Sequence, residues 1–341
     1  MRLGVLTTGY PRFEGDVAGS FVEGMVRGLT ARGHDVEVLA PASKDVARTG
    51  PVWVRYAKPP PWPETFYGAG VPDNVRDPRT WPGLVSYPLS LWRKARRRAK
   101  KWDAVIGHFG LPCGWIAAQL GKPALIVWHS ADVFLARKLP RRALRPLMRR
   151  HMHWFVTQTH ADALALPETN YVVSPMGASV LPTDRNEARR ALDLNRHTVL
   201  VLGRLVPIKG VDRVLRSLQG SHATVLVAGD GPERARLESL RGDLDVRFLG
   251  WVREPQKSAL LHAADVLAIP SRAMPSGRFE GAPVVEMEAR LAGLPVVWGA
   301  DRDALLRPPP PNPKTVSIHE SAELAERLLN SLDARLETQP L

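Results

Sequence analysis

The sequence predicts an α/β protein made of two doubly wound domains, and three observations support this prediction. Short apolar segments alternate with longer segments that carry apolar residues at helical spacing, a pattern typical of βαβ units and a parallel sheet. The alternation begins at the N-terminus and begins again after about residue 185. The length of 341 residues suits two domains that can each bury a core.

Apolar runs and turn residues define the elements of the first half. The helix between the first two strands ends at Gly33, and the second strand ends at Pro41. Gly50–Tyr87 is rich in Pro and Trp and is predicted to be irregular, with exposed aromatic side chains. The predicted elements are strands over Arg2–Thr7, Val36–Ala40, Ala104–Gly107 and Ala124–Val127, and a helix over Phe21–Arg32.

The second half repeats the same kind of pattern. Its predicted strands are Thr198–Gly203, Thr224–Ala228, Val246–Leu249, Val266–Ile269 and Pro295–Val297, and its predicted helices are Val211–Ser217, Val284–Ala292 and Ser321–Leu336. The Pro-rich stretch 307–314 is predicted to be a linker. We expect one domain over residues 1–183 and a second over 184–341, which includes the closing helix.

The net charge of +13 is concentrated in the first half of the chain. Residues 1–185 contain 26 Lys and Arg against 14 Asp and Glu, whereas residues 186–341 contain 21 against 20. A one-sided positive field concentrates anionic partners such as nucleic acid, anionic lipid or phosphorylated substrates. Because no zinc finger or RNA-recognition motif accompanies the charge, nucleic acid is not expected as a partner.

Other features bear on the location of the protein. The single cysteine, Cys113, excludes an internal disulfide. No apolar stretch approaches the ~18 residues of a membrane span, and the apolar run at the N-terminus is too short for a signal peptide. Leu91–Trp102 and Arg137–Trp154 are predicted to be basic amphipathic helices that suit an anionic membrane surface. We therefore expect a cytoplasmic protein, peripheral at the inner face of the membrane.

The segment around Pro283 predicts an anion site between two carboxylates. Pro283 suits the first position of a helix, which puts Gly281 and Ala282 at the entrance, where N–H groups and the helix dipole favour an anion. Glu280 precedes the helix, and Glu288 lies about one and a half turns into it. Since carboxylates accept hydrogen bonds from sugar hydroxyls, one could hold a sugar and the other a ribose.

Arg204 and Lys209 lie between a predicted strand and the next helix. Ligands of open α/β sheets bind at the carboxyl ends of strands. Arginine offers a bidentate fork and lysine a point charge, which together suit a diphosphate.

These segments resemble the retaining nucleotide-sugar glycosyltransferases of family 4, and the resemblance covers most of the chain. Glu280 and Glu288 match the family's Glu-x7-Glu motif, Arg204 and Lys209 its Gly-Arg-x4-Lys-Gly motif, and residues 229–232 its Gly-x-Gly-Pro loop. The family has the GT-B fold, in which two Rossmann-like domains face each other across a cleft.

The resemblance implies roles for the residues of the second half. Arg204 and Lys209 would bind the donor diphosphate, Glu280 would contact the transferred sugar as a catalytic residue, and Glu288 would hold the ribose. Trp251 and Val252 would lie beside the base. The family is further implied to need neither a metal ion nor another cofactor, because Arg204, Lys209 and the helix start at Gly281–Pro283 can stabilise the leaving diphosphate.

Two segments of the first half also resemble the family. Residues 9–21 resemble its glycine-rich loop, in which Gly15 would approach the donor phosphate and Gly19 the acceptor. Residues 128–132 resemble its His-Gly-x-Asp segment, with Ser130 in place of Gly. His129 would then be catalytic, close to the reacting carbon, while Asp132 and His108 would lie on the acceptor side.

The function implied is a retaining transfer of a hexose from a GDP- or UDP-linked sugar to a lipid-linked or polysaccharide acceptor. A non-catalytic GT-B partner subunit, a sugar-nucleotide epimerase and a phosphorylase remain alternatives, although the presence of Glu280 and Arg204 argues against the first. The sequence departs from the family at residues 298–301, Trp-Gly-Ala-Asp, where a Gly-Gly pair followed by Glu is usual.

Overall fold

The computed structural model describes residues 1–13, 16, 18–41, 53–57, 65–66, 74, 77–147, 151–165, 171–275 and 279–338. The chain divides into two compact units. The first unit comprises Met1–Gly177 and Ile318–Leu341, and the second comprises Ala178–Ser317. Each unit is built on a parallel β-sheet with intervening helices, which confirms the predicted α/β class and its two Rossmann-like domains.

The first unit contains a seven-stranded parallel sheet of order β3-β2-β1-β4-β5-β6-β7. Its strands are β1 (Arg2–Leu6), β2 (Asp35–Pro41), β3 (Trp53–Ala57), β4 (Ala104–His108), β5 (Ala124–Trp128), β6 (Met152–Phe155) and β7 (Tyr171–Val173). Its helices are α1 (Ser20–Ala31), α2 (Trp81–Arg98), α3 (Trp115–Ala117), α4 (Ala131–Arg137), α5 (Arg141–Leu144), α6 (Gln158–Leu164) and, in chain order after the second unit, α13 (Ile318–Thr338).

The second unit contains a five-stranded parallel sheet of order β10-β9-β8-β11-β12. Its strands are β8 (Thr198–Leu202), β9 (Thr224–Ala228), β10 (Asp245–Gly250), β11 (Val266–Ile269) and β12 (Val296–Trp298). Its helices are α7 (Arg185–Ala191), α8 (Val211–Ser217), α9 (Arg234–Glu238), α10 (Gln256–Ala263), α11 (Val284–Leu291) and α12 (Arg302–Leu306).

The sheet of the second unit is covered on both faces, and its central strand shows this best. Val199 and Val201 of β8 pack into a core on one face, and Leu200 packs into a separate core on the other. Strands buried on both faces have continuous apolar sequences instead of alternating ones. The apolar runs of the sequence predicted the strands for this reason.

The structure differs from the sequence prediction in two segments of the first unit. Within Gly50–Tyr87, which was predicted to be irregular, Trp53–Ala57 forms a strand parallel to β2 and Trp81 begins α2. Pro82 lies in the first turn of α2, where its missing N–H has no intrahelical partner to lose, so it permits a helix start. Residues 50–52, 58–64, 67–73 and 75–76 of the segment lie outside the described residues.

The second difference is the prediction of a single basic helix over Arg137–Trp154, which is wrong. The segment contains the end of α4, the short helix α5 and, from Met152, the buried strand β6. Pro140 separates the two helices because it lies immediately before α5 in extended conformation. The strand residues 152–155 are buried among apolar neighbours, so their burial outweighs the basic composition of the segment.

The C-terminal helix α13 belongs to the first unit, whereas the predicted division placed it with the second domain. It packs closely on α1 at two glycines. A Cβ at Gly24 would lie 2.5 Å from Ile318, and one at Gly28 would lie 2.6 Å from the Cβ of Ala322. Arg32 forms an ion pair with Glu326 at the end of this contact. The close contact between α1 and α13 therefore depends on glycine at positions 24 and 28 of α1. The apolar periodicity of the sequence does not reveal this contact.

Among the described residues, every helix is too short or too polar to cross a lipid bilayer.

We predict that Gly28→Ala lowers the free energy of unfolding by about 1–3 kcal/mol, because the new methyl group overlaps Ala322 and overpacks the α1–α13 contact. Chemical denaturation measures the change. The double variant Gly28→Ala/Ala322→Gly should recover part of the loss, and Arg27→Ala, at an exposed position of α1, should stay within about 0.5 kcal/mol of the parent. Equal losses in the single and double variants would contradict the close-packing explanation.

Candidate functional site

The second unit has a small pocket at the switch point of its sheet. From the central strand β8 the chain proceeds to β9 and β10 on one side and then crosses to β11 on the other. Ligands of open α/β sheets bind at such a point, beyond the carboxyl ends of the strands. The residues that line the pocket include Gly203, Arg204, Lys209, Pro270, Ser271 and Val285.

Close backbone packing fixes the loop that carries Arg204. Gly229 has a φ of 138°, and a Cβ on it would lie 1.9 Å from the carbonyl oxygen of Gly203. Gly231 approaches the carbonyl oxygen of Leu205, where a Cβ would lie at 2.5 Å. Only glycine permits both contacts. The Gly-x-Gly-Pro loop therefore acts as a support for the Arg204 loop.

Lys209 and Glu280 meet in this region. Lys209 Nζ lies 2.8 Å from Glu280 Oε2, and the side chains are 21% and 19% exposed. The hydroxyl of Ser271 donates to the same carboxylate oxygen at 3.2 Å. Arg204 is half-buried on the same pocket wall. The structure thus brings Arg204, Lys209 and Glu280 together as the sequence predicted, and it adds Ser271.

Helix α11 begins at Val284, as the predicted span Val284–Ala292 requires, but Pro283 does not take the first helical position that was assigned to it. Pro283 is the N-cap in extended conformation, with φ −67° and ψ 133°, and the helix runs from Val284. Since proline lacks an N–H in either position, its sequence signal does not separate the N-cap from the first helical residue. Gly281 and Ala282 precede the cap and are half-buried. The N–H groups of the first turn remain suited to an anion.

Glu288, the predicted ribose ligand, is buried in α11 with a partner from α10. Lys257 Nζ lies 2.7 Å from Glu288 Oε1 and 3.1 Å from Glu254 Oε1. Burial by itself would lower the pKa of Lys257, but the carboxylates of Glu288 and Glu254 outweigh it and raise that pKa above the ordinary value. Lys257 was not predicted as a site residue, because it lies on another helix and far from the matched motifs.

The predicted base-binding residues differ in exposure. Trp251 follows β10 and is 55% exposed, whereas Val252 is 6% exposed and packs into the core. The N–H of Gly229 donates to the carbonyl of Gly250 at 2.7 Å, so the loop after β10 is joined to the loop after β9. Trp251 can therefore offer an aromatic face to a ligand, and Val252 can offer only its backbone.

In the first unit, the loop after β1 is organised by Asp16 and Gly19. Asp16 accepts hydrogen bonds from the N–H groups of Arg12 and Ala18, each at 3.0 Å. Gly19 has a φ of 70°, and a Cβ there would lie 2.2 Å from the carbonyl oxygen of Gly9, so only glycine fits before α1. Gly15, predicted to approach the donor phosphate, lies outside the described residues.

His108 and His129 pair at the carboxyl ends of neighbouring strands. His108 Nδ1 lies 3.2 Å from His129 Nε2. The ring of Phe109 lies 4.5 Å from that of His129, and the ring of Phe21 lies 4.9 Å from it. The switch point of this sheet is between β1 and β4, and His108 ends β4. Phe21, the last residue of the segment 9–21, and Phe109, which follows His108, were not predicted to be site residues.

Burial keeps both histidines uncharged near neutral pH. It lowers the pKa of His108 to about 3. Burial, and then the neighbouring His108 and His160, lower the pKa of His129 well below its ordinary value. A neutral imidazole has one donor and one acceptor nitrogen. The two rings therefore share a single proton along their contact.

Asp132 is buried, and its side chain is engaged with the backbone next to His129. Its carboxylate accepts from the N–H groups of Gly110 at 2.6 Å, Ser130 at 2.9 Å and His129 at 3.2 Å. Burial raises the pKa of Asp132 despite these hydrogen bonds. In this structure Asp132 therefore holds the loop of His129 in place.

The second unit contains two Asp-x-Asp pairs, Asp243 with Asp245 and Asp301 with Asp303, and members of both make structural contacts. Asp245 accepts a hydrogen bond from Thr224 at 2.8 Å, and Asp301 caps α12 through the N–H of Ala304 at 2.9 Å. Within the described part of the chain, no group of three or more His, Cys, Asp and Glu is arranged to hold a metal ion.

The two parallel sheets are those of a GT-B fold, and comparison with a solved structure agrees. The Anabaena protein HepE, solved in complex with UDP and glucose, has the same fold: it superposes with a TM-score of 0.63 at 18% identity, over 99% of this chain and all of that one.

The sequence matches two family models. "Glycosyltransferase Family 4" matches residues 18–169, and "Glycosyl transferases group 1" matches residues 196–332, so together they span most of the chain. The chain therefore belongs to glycosyltransferase family 4 and is a glycosyltransferase.

Two relatives are mannosyltransferases by name. One is the GDP-mannose-dependent alpha-(1-6)-phosphatidylinositol monomannoside mannosyltransferase of Mycolicibacterium smegmatis, 27% identical over 86% of this chain and 79% of that protein. The other is the GDP-mannose-dependent monoacylated alpha-(1-6)-phosphatidylinositol monomannoside mannosyltransferase of Corynebacterium glutamicum, 30% identical over 45% of this chain and 42% of that protein.

We predict that acidification destabilises the fold through its buried neutral histidines. Burial lowers the pKa values of His108 and His153 to about 3, against about 6.5 in the unfolded chain. The unfolded state then binds more protons, so the free energy of unfolding falls from about pH 6.5 towards pH 3, by about 1.4 kcal/mol per pH unit for each fully buried histidine. Urea denaturation at pH 7, 6 and 5 measures the slope.

A matched variant isolates one histidine. His153 accepts from Trp128 Nε1 at 3.0 Å and contacts the carbonyl of Leu147 at 2.9 Å, and a glutamine side chain offers the same donor and acceptor. His153→Gln should therefore show a shallower fall of stability with acid than the parent. Parallel slopes for the two proteins would contradict the assignment.

Proposed function

We propose that this glycosyltransferase transfers a mannosyl residue from GDP-mannose to a lipid-linked acceptor at a membrane surface, with retention of the anomeric configuration and without a metal ion. The observation that carries the proposal is the contact between Lys209 and Glu280 on the pocket lined by Arg204. This contact places cationic groups that suit a diphosphate next to a carboxylate that can accept hydrogen bonds from a sugar.

The choice of GDP-mannose rests on the relatives. Both the mycobacterial and the corynebacterial proteins are described as GDP-mannose-dependent, and the former is similar over 86% of this chain. The HepE structure contains UDP and glucose, but its likeness at 18% identity concerns the fold. UDP-hexoses are therefore the second candidate donors.

Charge compensation is the main contribution that the second unit would make. Transfer breaks the bond between the anomeric carbon and the phosphate oxygen, which leaves additional negative charge on the diphosphate. Lys209, Arg204 and the N-terminus of α11 would stabilise that charge, each by about 2–4 kcal/mol in a site without water. As Lys209 turns to the phosphate, Glu280 becomes available to accept a sugar hydroxyl.

The proton of the acceptor needs a base. In the proposed retaining transfer, the acceptor oxygen forms its bond to the anomeric carbon on the face that the diphosphate leaves, and a phosphate oxygen takes the hydroxyl proton. The acceptor would bind to the first unit, at Gly19, His108 and the loop that Asp132 holds. His129, being uncharged, would contribute a hydrogen bond to the reacting sugar without adding charge.

Incubation of the purified chain with each donor and a phosphatidylinositol mannoside in EDTA tests the proposal. We expect release of GDP from GDP-mannose, a mannosylated lipid, and an NMR coupling pattern of the same anomeric configuration as the donor. An inverted product would refute retention, and activity only after addition of a divalent ion would refute metal independence. Formation of an epimerised sugar nucleotide, or of no product with any donor, would favour the alternative functions.

Charge-matched variants connect this assay to the pocket. Lys209→Met should lower kcat/KM about 10²–10³-fold, because it removes one group that stabilises the leaving diphosphate. Lys314→Met removes an exposed lysine of the same unit and should leave activity unchanged. Comparable effects of the two substitutions would exclude a specific role for Lys209.

Helix α2 is the feature that supports a membrane surface. It buries Tyr87, Leu91 and Ala95 on one face, and leaves on another Trp81, Leu84, Val85 and Leu89, which are 57%, 37%, 72% and 43% exposed. Spacings of three and four residues place these exposed side chains on one stripe. Exposed basic residues continue along the helix and into the turn that follows it: Arg93, Arg96, Arg97, Lys100 and Lys101. Apolar groups beside clustered cations suit an anionic bilayer.

We predict that Val85→Ser/Leu89→Ser reduces sedimentation with vesicles of phosphatidylcholine and phosphatidylglycerol at least fivefold, since each exposed aliphatic side chain contributes to insertion (about 1.5 kcal/mol or more). Leu291→Ser, at an exposed leucine of the second unit, is the control and should bind as the parent does. Binding that is equal in all three proteins, or that does not weaken with added salt, would argue against α2 as the contact.

A further inference from the structure

We infer that Lys257 is a positioning residue for the nucleotide ribose, which it serves by holding the carboxylate of Glu288 in a fixed position. This inference rests on the proposed role of Glu288 and names a residue outside the matched motifs. The contacts, the burial and the charge balance around Lys257 support this positioning role.

The geometry ties Lys257 to Glu288 directly. Lys257 Nζ lies 2.7 Å from Glu288 Oε1, and the two side chains are 19% and 10% exposed. A carboxylate so enclosed is costly unless a cation or several donors accompany it. Lys257 supplies that cation. Without it, the carboxylate of Glu288 would have no cation beside it and would be free to turn towards solvent.

The contact leaves room for a ligand. A carboxylate can accept about four hydrogen bonds. Lys257 occupies Oε1, and no described residue donates to Oε2. The ammonium is shared with Glu254, 3.1 Å away, so two carboxylates surround one cation and the cluster keeps an excess negative charge. Such a group can accept hydrogen bonds from neighbouring hydroxyls, as a ribose presents them.

A second layer of hydrogen bonds fixes Lys257 itself. Ser258 is fully buried, and its hydroxyl donates to Glu254 Oε2 at 2.6 Å while it accepts the N–H of Leu181 at 2.9 Å. These hydrogen bonds hold Glu254 in a position where its carboxylate contacts the ammonium of Lys257. The chain of contacts runs from Leu181, near the start of the second unit, to the predicted ribose ligand.

The test measures how well the protein distinguishes a ribose from a deoxyribose. Calorimetric titration with GDP and 2′-deoxy-GDP, and with UDP and 2′-deoxy-UDP, gives the affinity ratio of each pair. For the nucleotide that binds, we expect roughly tenfold preference for the ribose form in the parent, as a hydrogen bond to a charged group commonly gives. Lys257→Met should reduce the ratio to about twofold or less, and Lys257→Arg should retain most of it.

Three comparisons separate the inference from the proposed function. Glu288→Gln should remove the preference, and the double variant with Lys257→Met should lose no more. If Glu288→Gln fails to change the ratio, the ribose role of Glu288 is wrong. If Glu288→Gln removes the preference but Lys257→Met does not, the inference is wrong and the proposed function stands.

The remaining outcomes are equally decisive. Equal weakening of both nucleotides by Lys257→Met would mean that Lys257 contacts the phosphates, which overturns the positioning role. Lys314→Met serves as the charge-matched control and should keep the parental ratio. Should Lys257→Met be too unstable to purify, Lys257→Gln permits the same comparison, and an unchanged ratio in that variant would overturn the inference.

Discussion

The ion pair between Lys209 and Glu280 is the contact on which the candidate donor site depends. It joins the loop after β8 to the segment before α11, the two pieces of chain that flank the switch point. Each charge is largely removed from water and is tolerated because the other is present. When the donor binds, Lys209 can contact the diphosphate and Glu280 can contact the sugar, and these two contacts replace the ion pair. Neither charge is then left without a partner. The glycine-supported loop of Arg204 keeps a further cation beside this exchange.

The two units offer different chemistry. The second unit arranges opposite charges in pairs, Lys209 with Glu280 and Lys257 with Glu288. The first unit buries uncharged imidazoles among aromatic rings, where burial lowers the pKa values of His108 and His129. Charged pairs suit the phosphates and hydroxyls of a nucleotide sugar. Neutral donors and acceptors suit a position at which a cationic sugar-like transition state develops, because a protonated histidine there would oppose it.

The sequence allowed most of the fold and part of the candidate site to be predicted. Strands such as β9 and β11 were found because continuous burial leaves continuous apolar runs, and Arg204 and Lys209 were found because both lie in one short loop. Strand β3 was missed because its Pro-rich surroundings suggest irregular chain. Lys257 could not be predicted from the sequence, since its relation to Glu288 arises only when α10 packs beside α11. Pro283 was placed one residue too far into the helix, because the absence of an N–H is equally harmless at either position.

The return of α13 to the first unit has a consequence for how the protein is made. Residues 178–317 form an insertion within the first unit, whose last helix is translated only after the whole insertion has been translated. Until then the groove of α1 at Gly24 and Gly28 is uncovered, and its apolar surface is accessible to chaperones and to other nascent chains. The second unit, which is continuous in sequence, has no such delay. All residues of the second unit are therefore synthesised before the first unit receives its last helix.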